Sequence, residues 1–455
     1  MSIRRALNIV FDRTPDDTID LFQVFPGLRH FFERRKLHAF LRTIGDLIFA
    51  FIILAGLFGP QEPNRNCTLY LSWGIWWPTI VLTWFFVGRM WCGFCPFPGA
   101  GRLAQSLGLS LNMRIPRFIQ KNSPYLSVIL LCLILWIEES TGIKESPRGT
   151  ALLILAILAG ATITAMLFPK QAWCRYLCPM GRLIGVGSTL AILEFRPDFE
   201  KCKTCKTFAC KRGVGDRTGC PVYLGAFNVR NNLDCLICGH CLALCDKDSP
   251  KLNLRSPFKE LILNKGRFIT CSYIIPFLMG SQLVRFFEDS PFVFPWLKQL
   301  GSFETMMIYS GMLVLGFFYI FFIIRLGAKA FGITEDELFG KFSPMVPILV
   351  PMAFAGELAY RLDYAVRYAP DFFPTVGRQF SIESLMKVTF EVPSMTFPIM
   401  NIFILASSVA ACNYVLYRLA MDEFEGMVPL WRAATVSVLV LFTGLSYMFL
   451  MIPVN

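Results

Sequence analysis

CKTCKTFACKRGVGDRTGCPVYLGAFNVRNNLDCLICGHCLALC, residues 202–245, carries half of the 16 cysteines in the chain. The spacing runs Cys202-x2-Cys205-x4-Cys210-x9-Cys220-Pro221, then Cys235-x2-Cys238-x2-Cys241-x3-Cys245. Short gaps let three thiolates reach one centre from a single loop, and a distant fourth cysteine folds the two halves over each other. A disulfide knot and a pair of structural zinc sites are the competing readings. A disulfide scaffold belongs to a small secreted domain, and a chain of 455 residues with this composition is neither. Zinc sites more often use paired C-x2-C knuckles than a triple with a remote fourth ligand.

The second run has the C-x2-C-x2-C-x3-C spacing of a bacterial 4Fe-4S ferredoxin, and the first is a loosened version of it. In such modules the fourth cysteine of each run ligates the other run's cluster. That rule implies two 4Fe-4S clusters, one on Cys202, Cys205, Cys210 and Cys245, the other on Cys235, Cys238, Cys241 and Cys220. Cys245 departs from the pattern, being followed by Asp246 where a ferredoxin usually has proline.

The chain as a whole is 55% hydrophobic and 15% aromatic, with mean hydropathy +0.52. Its apolar runs are long enough to cross a bilayer, which takes about 20 helical residues. A net charge of +12 would suggest nucleic acid in a soluble chain. Here the Lys and Arg residues cluster in connectors beside apolar spans, where they mark the cytoplasmic side, so nucleic acid is not expected. Spans are expected near 41–59, 73–88, 124–138 and 150–168, then 268–287, 305–325, 343–359, 396–417 and 432–452. The start is too polar for a cleaved signal peptide, so the first span is expected to be retained. With only His30, His38 and His240 and no C-x-x-C-H, neither bis-histidine nor c-type haem is expected.

The expected architecture is a polytopic α-helical membrane protein with an inserted cytoplasmic bacterial-type ferredoxin domain for two 4Fe-4S clusters. Residues 1–40 form a basic, amphipathic arm expected on the membrane surface. Residues 41–195 hold four spans, residues 196–258 the ferredoxin domain, and residues 259–455 about five further spans. The basic N-terminal arm, the 101–123 connector and the insert fall on one side, read as cytoplasmic. Pro344, Pro347 and Pro351 are expected to kink or break the third of the later spans, and a polar connector should follow it. Lys201, Lys203, Lys206, Lys211 and Arg212 give the first cysteine run a positive rim.

A second constellation lies at the membrane edge. Trp91-Cys92-Gly93-Phe94-Cys95-Pro96 and Trp173-Cys174-Arg175-Tyr176-Leu177-Cys178-Pro179 each follow a span and lead into a glycine and an arginine. The pattern is a weak internal repeat. Cys92, Cys95, Cys174 and Cys178 could hold one metal or a further iron–sulfur centre, could act as two dithiols, or could simply pack. Cys132, Cys271 and Cys412 read as packing residues and Cys67 as structural. Glu357, Arg361 and Asp363 read either as interfacial charges or as a quinone or proton site.

The two Cys-Pro motifs together with the eight-cysteine insert resemble the membrane-bound ferredoxin-type proteins of the NapH, NosR and MauN kind, and more distantly CcoG. The resemblance covers about residues 40–290 and leaves the later spans without a counterpart. It implies an electron-transfer subunit of an oxidoreductase system in the bacterial inner membrane, passing electrons between the quinone pool and a redox partner protein. The alternative it implies is a metalloenzyme assembly factor or copper or thiol reductase using the membrane-edge cysteines. The expected partners are the lipid bilayer, a redox partner protein and a quinone.

Overall fold

The computed structural model describes residues 3–12, 17–215, 217–263, 269–288, 302–331, 345–422 and 428–451. Among these residues the long helices are α1 (Arg35–Phe58), α2 (Trp77–Val87), α3 (Arg117–Ser140), α4 (Pro147–Leu167), α5 (Ile269–Glu288), α6 (Ser302–Phe331), α7 (Met345–Phe380), α8 (Thr396–Asp422) and α9 (Leu430–Met451). One falls on each expected span. By length and composition, 7 helices, all but α2 and α5, can cross a membrane. The chain is therefore a polytopic helical membrane protein, built as two compact units: residues 1–53, 82–130 and 152–260, and residues 54–81, 131–151 and 261–455.

In the first unit, strands β2 (Leu193–Pro197) and β5 (Pro250–Leu254) bracket the cysteine-rich insert. They pair antiparallel, Leu193 opposite Leu254 and Pro197 opposite Pro250, so the insert leaves and rejoins the chain at one place. Beneath them Arg255 is fully buried and bonds Glu260 at 2.7 Å, while Glu260 also binds Arg196 and accepts from the Asn232 amide. Inside the insert, β3 (Gly213–Val214) and β4 (Arg217–Thr218) form a small hairpin over the widened gap between Cys210 and Cys220.

Part of the N-terminal arm is built into the cysteine module. Residues Ile19–Asp20 form β1 and add to the free edge of β5. Asp20 then caps the helix Leu21–Val24 by accepting from the Phe22 amide at 3.0 Å. Phe22 and Phe32 are buried with Phe195, Ile237 and Leu252 in the core of the cysteine module. Phe22 and Phe32 are thus core residues of this module, and their burial removes apolar surface from water, while Phe11, Phe25 and Phe40 stay exposed. Gly239, between Cys238 and His240, has φ +72°, and a Cβ there would come 2.9 Å from the Phe32 ring. Only glycine lets the arm pack this closely.

In the second unit, α7 runs unbroken for 36 residues and contains Pro351, Pro370 and Pro374, so the expected kinked span and polar connector are one helix as far as Phe380. Its first half, Met345 to Arg361, is largely buried. Its polar half holds together through pairs one turn apart, Arg361 to Glu357 at 2.8 Å and Arg367 to Asp363 at 2.9 Å. The second expected span opens as a π-helical stretch, Tyr70–Trp76, before α2. Trp77 N–H reaches back to Ser72, and Pro78 has no N–H to continue an α pattern.

Candidate functional site

The loops of the insert take left-handed backbone after four of its eight cysteines. Cys205, Cys220 and Cys245 are followed three positions later by Phe208 (φ 50°), Tyr223 (φ 56°) and Asp248 (φ 51°), and Ile237 (φ 49°) follows Cys235 by two. Left-handed backbone is uncommon outside glycine. It rotates successive amide N–H groups into a concavity, the arrangement that surrounds anions and iron–sulfur centres. Leu224 N–H donates to Cys220 Sγ at 3.3 Å and Ser249 N–H to Cys245 Sγ at 3.4 Å. The Cys205 thiol is held below its ordinary range, first by the Phe208 amide.

The thiols fall into two groups. Burial pushes Cys235 up to about 11 and Cys238 up to about 12, and the Cys220 thiol beside them adds to both. Cys241 is raised further by burial and by Cys235, Cys238 and Cys220. In the other group, burial and then the nearby Cys245 and Cys205 thiols raise Cys210. Ser249 joins the last two members: its hydroxyl lies 3.1 Å from Cys202 Sγ, and its amide bonds Cys245. Cys210 is also an electrostatic neighbour of Cys241, so the groups adjoin. Of the basic rim, Lys211 lies over the Tyr223 ring at 4.8 Å and Arg212 over Phe208 at 6.0 Å, which ties both to the loops.

The membrane-edge cysteines come together as well. Burial raises Cys95, Cys174 and Cys178, the last to about 11, and the Cys92 thiol contributes to all three. Pro179 starts a short buried helix, Pro179–Gly187, whose Gly181 N–H donates to Cys178 Sγ at 3.2 Å. Both pairs dock on the insert. Cys92, Cys174 and Cys220 pack against the buried apolar cluster of Val222, Leu236 and Cys238. A Cβ on Gly93 would come 3.0 Å from the Cys238 Cβ. Arg175 donates to the carbonyls of Val222 at 3.0 Å and Tyr223 at 3.1 Å.

Two arginines that in one dimension read as topology signals sit between the cysteine sets. Arg89 is buried, hydrogen-bonded to Cys92 and to the Leu233 carbonyl, within electrostatic reach of Cys178 and Asp234. Arg42, on α1, donates to the Gly93 carbonyl at 3.0 Å and lies 3.1 Å from His240 Nε2.

The donor set fits iron–sulfur clusters better than single ions. Among the described residues no three His, Cys, Asp or Glu side chains are close enough to hold one metal ion. A tetrahedral zinc would draw its sulfurs to about 2.3 Å from one point. A cluster offers a separate iron to each thiolate and takes a wider ring, and amide donors to its sulfurs tune it.

Of the other residues singled out, Cys67 and Cys412 are buried and Cys132 partly buried, while the Cys271 side chain lies outside the described residues. Glu357 and Arg361 are 1% and 2% exposed and belong to an ion network in the second unit, whereas Asp363 is partly exposed.

A family model described as a 4Fe-4S binding domain matches residues 69–112 and 150–187. Those two segments carry Cys92 with Cys95 and Cys174 with Cys178, one pair each. The uncharacterized protein MJ0749 of Methanocaldococcus jannaschii is 27% identical over 169 residues, 36% of this chain and 63% of that protein. The ferredoxin-type protein NapH of Escherichia coli is 31% identical over 186 residues, 35% of this chain and 60% of NapH. Protein NirI of Paracoccus denitrificans is 27% identical over 187 residues, 36% of this chain and 26% of NirI. The chain thus spans less than two thirds of each of these relatives. No solved structure matches it. The matches bear out the resemblance to NapH-like, membrane-bound ferredoxin-type proteins, and the chain carries an iron–sulfur binding domain.

Proposed function

We propose that the protein passes electrons between a quinol or cytoplasmic donor and a membrane or periplasmic redox partner, in the bacterial inner membrane with its cysteine module on the cytoplasmic side. The cysteines would hold two 4Fe-4S clusters in the crossed sets Cys202/Cys205/Cys210/Cys245 and Cys220/Cys235/Cys238/Cys241. A third centre would sit on Cys92, Cys95, Cys174 and Cys178. When bound, such clusters supply one-electron exchange.

The observation that carries this reading is that Cys92, Cys174 and Cys220 all pack against the buried cluster of Val222, Leu236 and Cys238. That packing keeps the two cysteine sets adjacent. The family match to the two membrane-edge segments supports a cluster there over packing residues. An assembly factor or thiol reductase needs accessible thiols, and these are only partly exposed among Val222, Leu224 and Leu236.

Iron and acid-labile sulfide analysis of the intact purified protein, with EPR after stepwise reduction, tests the proposal. Three clusters correspond to about twelve irons per chain and two to about eight. C174S/C178S protein should lose about four irons and one signal. Fewer than about six irons in the unaltered protein would overturn the two-cluster claim, and an unchanged iron content in the variant would return the membrane-edge thiols to dithiol or packing roles.

A further inference from the structure

The two cysteine sets of the insert differ in exposure. Cys235 and Cys238 are buried, with the membrane-edge Cys92 and Cys174 packed beside Cys238. In the other set Cys210 is buried, but Cys202, Cys205 and Cys245 reach the surface. The face on which they emerge carries unbalanced positive charge. Its carboxylates are largely taken: Asp198 pairs with Lys251 at 3.5 Å, Glu200 with Lys203 at 2.6 Å and Asp248 with Arg29 at 2.7 Å. Lys206, next to Cys205, and Lys247, two positions after Cys245, are exposed and pair with no carboxylate among the described residues. Against them stands the exposed Asp246. A groove of about 870 Å³ has Cys245 and Leu242 in its wall together with Arg34, Lys36 and Arg217, three exposed cations that likewise lack a carboxylate. Glu33, in the same wall, is held by Arg29 at 2.9 Å.

Topology does not account for this charge. The Lys and Arg excess that sets orientation counts within about 15–20 residues of a span. The long helices flanking the insert end at Leu167 and begin at Ile269, so Lys206, Arg217 and Lys247 lie outside that range. They stand instead beside the thiols through which a bound cluster would be reached. We propose that this face docks a small, acidic, soluble one-electron carrier protein of the ferredoxin kind, its carboxylates against Lys206, Lys247, Arg34, Lys36 and Arg217 and its centre over Cys205 and Cys245. The proposal rests on the electron-transfer reading for its purpose, and adds which end of the cysteine array meets the partner. Opposite charges steer such proteins together without a large apolar interface, and electron-transfer encounters of this type bury less than about 1,200 Å². One electron would pass. The carrier's reduced iron–sulfur centre is oxidised by one electron, the cluster on Cys202, Cys205, Cys210 and Cys245 is reduced by one, and no bond or proton moves.

The test uses the full-length, cluster-loaded protein in nanodiscs of neutral lipid, with an acidic plant-type ferredoxin as probe. Carbodiimide, which joins carboxylates to lysines, should cross-link the probe to Lys36, Lys206 and Lys247. Affinity should fall about tenfold or more when salt is raised from roughly 50 to 300 mM. K206E/K247E should weaken binding by about tenfold or more, with iron content and reduction by dithionite unchanged, and K206Q/K247Q should fall between. Cross-links confined to lysines outside the insert and the arm, or binding indifferent to both salt and K206E/K247E, would overturn the proposal. Protection of Lys206 and Lys247 from acetylation by anionic lipid alone would assign the face to the bilayer and overturn it too. Ferredoxin that cross-links as expected to a protein whose centres never take its electron would keep the surface and sink the electron-transfer reading. Dithionite-reducible centres with no docking would sink the surface alone.

Discussion

Arg361 Nη1 stands 2.8 Å from Glu138 Oε1, although 223 positions separate them in the chain, and the arginine lies over the Trp77 ring at 4.8 Å. Both ions are almost fully buried. Each has given up its hydration, so their pairing offsets a desolvation cost rather than adding much net stability. Removing one partner leaves the other charged and alone. R361M and E138L should each destabilise the second unit by roughly 3–5 kcal/mol, while R361M/E138L should cost clearly less than the sum. Thermal unfolding in detergent, with the three variants compared as a double-mutant cycle, measures this; equal and additive losses would show that the pair is not coupled.

A glycine test addresses the arm. Gly239 has φ +72° and faces Phe32. G239A should add about 1–2 kcal/mol of backbone strain, plus a clash, and loosen the arm. Limited proteolysis should then cut within residues 17–33 faster than in the unaltered protein. Unchanged protection would mean that the arm is held by β1 alone.

Much of this architecture is legible in one dimension because its signals are local. Cysteine spacing sets which thiols share a loop, and each expected span coincides with a helix. The Trp-Cys and Cys-Pro repeats are also visible, though not their convergence, which depends on how the segments after α2 and α4 fold back on the insert. What escapes the sequence is whatever acts across distance. Phe22 and Phe32 carry an interfacial composition, and only their contact with Phe195 and Ile237 makes them core. Prolines at 370 and 374 argue against a helix locally, yet α7 continues through both as far as Phe380. Arg42 and Arg89 look like charges flanking spans until Gly93, His240 and Cys92 are seen beside them.

Arg42 yields a redox prediction. It bridges the Gly93 carbonyl and His240 and lies within electrostatic reach of Cys238. Removing a positive charge beside a centre disfavours the added electron. R42M should therefore lower the midpoint potential of the centre on Cys220, Cys235, Cys238 and Cys241 by some tens of mV, with 59 mV equal to about 1.4 kcal/mol for one electron. R42K should recover part of the shift. EPR-monitored redox titration reads it, and a potential unmoved in R42M would reduce Arg42 to a structural tie.

Arg89 is the sharper case, because its worth should depend on whether the membrane-edge cysteines are loaded. Its guanidinium is buried beside Cys92, Cys178, the Leu233 carbonyl and Asp234. Without a centre, burial raises the Cys174 and Cys178 thiols, and Asp234 is a carboxylate that Arg89 feels. With four thiolates and a cluster the site is net negative, and a buried cation then repays its own desolvation. R89M should consequently leave the stability of the iron-free protein within about 1 kcal/mol of the unaltered chain, yet bind iron at Cys92, Cys95, Cys174 and Cys178 markedly less tightly. R89K, which keeps the charge but not the planar fork, should fall between. Chelator challenge of the reconstituted protein, followed by iron analysis and EPR, gives the loaded arm of this comparison, and thermal unfolding of the iron-free protein gives the other. If R89M destabilises both forms equally, Arg89 is a structural residue that ties the segment after α2 to the insert through Leu233, and compensates no cluster charge.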